Sequence, residues 1–124
     1  MIKEAAHLLV NYRRICNDFK HMKSEDEEYD LAKKYIETMQ MYFNKLNEAK
    51  LPETNFLEKS GLTTNQLRAL YIDTLNMAYF SDKHMSSLEM TTVINKKYGL
   101  NMSISRFTVL KEYSVIFFSS LLPE

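Results

Sequence analysis

The 124 residues (14.7 kDa) suffice for one domain with its own core, and 45% hydrophobic against 26% charged residues is the balance of a folded chain rather than a disordered one. Two glycines and two prolines leave too few turn residues for a β-sandwich or barrel, and they exclude phosphate-cradling loops such as GxGxxG and GxxxxGK. Sixteen Lys plus Arg balance sixteen Asp plus Glu, so no overall field steers the chain to nucleic acid or to an anionic membrane. The expectation is an all-α single domain, 1–124, of five to six helices.

Residues 2–22 place Ala5, Leu8, Leu9, Tyr12, Ile15, Cys16, Phe19 and Met22 three and four apart, the stripe of an amphipathic helix. Its polar stripe holds His7, Asn11, Arg14, Asp18 and His21. Cys16 is the single cysteine; it rules out a disulfide framework, fits a reducing compartment and reads as a small buried hydrophobe. Glu4 stands where a signal peptide would carry a basic region. The longest apolar stretch, 115–122, is shorter than the ~20 residues that cross a bilayer, so a cytoplasmic location is expected.

Ser24, followed by Glu25, Asp26, Glu27 and Glu28, reads as an N-cap with carboxylates at the positive end of a second helix reaching about Lys50. The alternative, a calcium loop, lacks the required Gly and alternating oxygen ligands. Leu31, Ala32, Tyr35, Met39, Tyr42, Phe43, Leu46 and Ala49 form the apolar stripe. The first fifty residues are thus expected to form an antiparallel hairpin, and residues 53–124 a helix–turn–helix-like region with a C-terminal helix.

Residues 53–60 predict a short helix stopped by Gly61. Thr63 or Thr64 caps the next, to about Phe80, and its nearly all-round apolarity makes 66–80 the expected most buried helix. Ser86 with Glu89 is a capping box opening a helix over 87–98, stopped by Gly99. Ser103 caps the last, from Ile104 towards Leu121. Its segment 113–118 is rich in strand formers but is assigned to helix because no partner strand is visible.

No catalytic constellation stands out. His7, His21 and His84 are not at ligand spacing, no HExxH occurs, and no nucleophile sits in a Gly-flanked elbow. Eight Met and eight Tyr at helical spacing read as core. The expectation is a non-enzyme without cofactor or metal.

Residues 55–71, NFLEKSGLTTNQLRALY, resemble the generic helix–turn–helix of DNA-binding regulators: Gly61 falls in the turn, with Phe56 five before it and Leu62, Leu67 and Leu70 one, six and nine after. Leu57 departs from the pattern, which prefers a small residue four before the turn. The resemblance implies that Thr63, Thr64, Asn65, Gln66 and Arg68 face outward, amides towards adenine and Arg towards guanine. A second candidate is 88–111, with Ile94 before Gly99 and Leu100, Phe107 and Leu110 after, two residues longer in the turn. Between Met90 and Lys111 stand Lys96, Lys97, Arg106 and Lys111 and no acid.

The expected function is a small DNA-binding transcriptional regulator. Thr64, Asn65, Gln66 and Arg68 would read bases, and Lys96, Lys97, Arg106 and Lys111 would hold phosphates. Neither motif is trailed by a wing hairpin. The alternative is a non-enzymatic helical module (inhibitor, adaptor or immunity-type protein) that covers a partner protein, supported by neutral charge and abundant Tyr, Met and Phe. A homodimer is expected in either case, through the stripes of the first two helices and the 115–122 run.

Overall fold

A computed structural model describes residues 2–52 and 61–123, with the side chain of Ile2 left aside. Within them lie five α-helices and no strand: α1 (Ile2–Phe19), α2 (Tyr29–Lys45), α3 (Thr64–Leu75), α4 (Ser87–Tyr98) and α5 (Ile104–Ser119). The predicted helix over 53–60 lies outside the described residues.

The hairpin of α1 and α2 forms as its stripes require, but α2 starts later than Ser24. The Lys23 N–H donates to the Asp26 carboxylate (2.7 Å), and the Asp26 N–H to the Lys23 carbonyl (2.9 Å), closing a separate turn before the helix. Four consecutive acids in one helical turn would repel one another, and here all four stay exposed in that turn. The tilted ring pair of Phe19 and Tyr29, with centroids 4.9 Å apart, joins the end of α1 to the start of α2. At its other end α2 stops at Lys45 rather than Lys50. Leu46, fully buried, leads into a turn.

Thr63 caps α3 with a capping box: its hydroxyl accepts the Gln66 N–H (3.1 Å), and the Gln66 side chain accepts the Thr63 N–H (2.8 Å). Residues 76–80, expected to continue the α-helix, instead form one π-helical turn that the Ser81 N–H closes on the Asn76 carbonyl (2.7 Å). Arg13 of α1 supplies the reason. Its guanidinium donates to the carbonyls of Ser81 (2.8 Å), Met77 (3.3 Å) and Lys83 (3.4 Å), acceptors that a helix end otherwise leaves unpaired. The same widening seats Phe80 between Tyr12 (4.8 Å) and Phe43 (4.3 Å).

The core centres on α5, which packs against α1, α3 and α4. Phe107, Leu110, Ser114, Val115, Phe117, Phe118 and Ser119 of α5 are buried, against Leu70, Tyr71, Thr74 and Leu75 in 66–80, so α5 rather than that segment is the most buried helix. The strand-forming 113–118 run is helical because both faces of it find helices to bury against. Thr74 and Ser114 turn their hydroxyls back onto the carbonyls of Leu70 and Leu110 (2.8 and 2.9 Å), so these small residues sit inside without an unpaired polar atom. Burial of Val115, Phe118 and Leu122 removes the C-terminal run from the surface expected to make a dimer. Cys16 is half-buried against the core. Among the described residues no helix is long and apolar enough to cross a membrane.

Candidate nucleic-acid interface

The first motif is described only from Gly61 onward, because 53–60 lie outside the described residues. Gly61 has φ +79°, the left-handed conformation that a tight turn asks of glycine. Leu67 and Leu70 point inward as the pattern demands, and Thr64, Asn65 and Gln66 are exposed. Two of the expected base readers already have work inside the fold. Gln66 closes the capping box. Arg68 is half-buried, and its Nε and Nη2 donate to the Ala49 carbonyl (3.3 and 3.2 Å) while Nη1 donates to Asn65 (3.1 Å). Arg68 therefore ties the start of α3 to the end of the hairpin.

The second candidate, 88–111, lies wholly within the described residues. Ser86 and Glu89 cap α4 reciprocally (both 3.1 Å), and the backbone N–H and then the hydroxyl of Ser86 hold the Glu89 carboxyl below the usual carboxylate range. At the other end Gly99 takes φ +66° and its successor Leu100 donates to the Asn95 carbonyl (3.0 Å). Asn95 then fastens the turn: its amide donates to the Met102 carbonyl (3.0 Å) and accepts the Met102 N–H (2.9 Å). Ser103 accepts the Arg106 N–H (3.1 Å) and starts α5. Inside the corner, Met90, Thr91, Ile94, Phe107 and Leu110 are buried.

Outside it, Lys96 and Lys97 end α4, and the first turns of α5 expose Ile104, Ser105, Arg106 and Thr108. Lys111 is half-exposed one turn further on. Backbone N–H groups at a helix start, two basic side chains across a short turn and an exposed Arg make a surface suited to a phosphate-bearing chain. The charge is smaller than the sequence alone suggests. Asp73 reaches over from α3, and its Oδ2 lies 2.7 Å from Lys97 Nζ and also accepts the Tyr98 hydroxyl. Burial, and then that carboxylate, push the Tyr98 hydroxyl above its usual range. Asp73 is remote in sequence from the acid-free 90–111 stretch, which is why its neutralising role is invisible there.

Sequence reasoning did not single out Asn95, Ser105 or Thr108. The available signal was the Ser103–Arg106 cap, which fixes the orientation of α5 and hence exposes the residues beside Arg106. Among the described residues no three of His, Cys, Asp and Glu converge as metal ligands would. A hollow of about 300 Å³ between the hairpin and the π turn is lined by Tyr12, Arg13, Cys16, Gln40 and Asp82. There the Tyr12 hydroxyl is pushed up to about 12, chiefly by burial. No protein-family model matches the chain, and no curated protein or solved structure does either.

Proposed function

We propose that this chain is a small DNA-binding protein of the regulatory kind, acting in the cytoplasm, that engages a duplex through α4, the 99–103 turn and the start of α5. One observation carries the proposal. The pinned turn buries the inner faces of both helices and leaves Ser105, Arg106 and Thr108 exposed at a helix start, flanked by Lys96 and Lys97. Arg106 then supplies guanine-type readout, Ser105 and Thr108 supply adaptable hydrogen bonds, and Lys96 and Lys111 hold phosphates. Lys97 joins them only by sharing or releasing Asp73. Thr64 and Asn65 offer secondary contacts, while Gln66 and Arg68 brace α3.

Fluorescence anisotropy of short duplexes over a salt series tests this. The logarithm of affinity should fall linearly with the logarithm of salt, with slope about −0.9 for each phosphate neutralised. Lys96→Ala should reduce the slope by about one unit, and Arg106→Ala should also flatten sequence preference. No binding at low salt would remove the proposal.

A helical module that covers a partner protein is the alternative, and the exposed apolar residues Leu88 (61%), Val93 (43%) and Ile104 (45%) on the same two helices favour it. It requires binding that survives high salt and is lost on Leu88→Ser or Val93→Ser, the reverse of the DNA pattern.

A further inference from the structure

The outer seam of the α1–α2 hairpin carries two adjoining hollows. One, of about 390 Å³, lies among Leu8, Tyr35, Tyr42 and Leu122, with Glu4 on the α1 wall and Lys34 on the α2 wall. The other, of about 380 Å³, lies among Ile15, Met22 and Ala32, rimmed by Arg14, Asp18 and Glu28. Leu31 and Tyr35 belong to both. Leu31 is 72% exposed.

We propose that this seam joins two copies of the chain about a two-fold axis, Leu31 of each copy seated in a hollow of the other. A two-fold interface uses the same patch twice, so that patch must hold both a projection and a recess. This one does. It must also tolerate its own charges. Glu4, Asp18 and Glu28 share the rim with Arg14 and Lys34, and a two-fold axis that sets Glu4 against Lys34 does so twice over.

The area suffices. At 1.5 Å per residue α2 is about 25 Å long, and two helices side by side span ~20 Å, a footprint of ~500 Å² per copy. The total of ~1,000 Å² meets the lower bound for a specific interface, so association should be micromolar rather than nanomolar. The 115–122 run is mostly packed into the core and meets the seam only at Leu122, on the wall of the first hollow, while the exposed Leu88, Val93 and Ile104 belong to α4 and α5. This interface does not depend on DNA contact by α4 and α5.

Sedimentation velocity of the full chain from low micromolar to near-millimolar concentration tests it, with wild type, Leu31→Glu, Glu4→Lys, Lys34→Glu and the double exchange. Wild type should pass from monomer to dimer mass. Leu31→Glu should remain monomeric with an unchanged circular-dichroism spectrum and melting temperature, because the residue is exposed. Each single charge exchange should weaken the dimer several-fold, and the double exchange should restore it. A wild type that stays monomeric, leaving the seam to a different protein, overturns the proposal. So does a Leu31→Glu variant that dimerises as tightly as wild type.

Discussion

Replacing Arg68 by alanine separates a structural role from base reading. The guanidinium gives two N–H groups to the Ala49 carbonyl and one to Asn65. Hydrogen bonds from charged groups contribute ~1.5–3 kcal/mol when well protected. Arg68 is half-exposed, and the two bonds to Ala49 share one acceptor, so the expected loss is ~1–2 kcal/mol in all. Unfolding entropy of ~2.1 cal/mol/K per residue gives about 0.26 kcal/mol/K for 124 residues, and a fall in melting temperature of about 4–8 °C. Thermal unfolding followed by circular dichroism measures it. Arg68→Lys should recover only part, since an ammonium cannot present two N–H groups at fixed geometry. DNA affinity, measured well below the melting temperature, should change little. An unaltered melting temperature together with lost preference at one base pair would refute this assignment and return Arg68 to base reading.

Gly99→Ala should destabilise by ~1–2 kcal/mol, the cost of a left-handed conformation for an L-residue; a built Cβ meets nothing within 4 Å, so Gly99→Asn should cost less. Tyr71→Phe should leave stability unchanged or raise it, because the buried Tyr71 hydroxyl has no hydrogen-bond partner; a loss above ~1 kcal/mol in chemical denaturation would contradict that. Glu89 gives a pH signature. Its folded pKa is depressed, so the stability it supplies is present above the ordinary carboxylate pKa and is lost as pH falls through the folded value. Glu89→Gln keeps the capping geometry without the charge. Its deficit in melting temperature should therefore appear at neutral pH and vanish in acid, whereas a pH-independent deficit would show that the charge plays no part.

Helix identities were legible where a cap and a periodic stripe agreed. Ser86, Glu89 and Gly99 bound α4 at the residues observed, and Ser103 starts α5, because these signals act within one turn of the chain. Features set by partners distant in sequence were not legible. The π turn depends on Arg13, more than sixty residues earlier. A ring pair across the hairpin joins the end of α1 to the start of α2, and the neutralisation of Lys97 depends on Asp73. The same limit applies to the candidate interface. A resemblance in the 55–71 stretch can select outward residues by spacing, yet it cannot reveal that Arg68 is tied to Ala49, nineteen residues earlier; the Thr63–Gln66 cap, by contrast, is a local signal that the resemblance passed over. The ridge at 96–108 emerges only when the turn between two helices is seen to be fastened from inside by Asn95.

The most direct measurement is a titration of the isotopically labelled chain with a short DNA duplex, followed by amide chemical-shift mapping. Shifts should concentrate at the end of α4, in the 99–103 turn and over the first two turns of α5, with the α1–α2 seam silent. Shifts centred on α1 and α2, or none at low salt, would contradict DNA binding through α4 and α5.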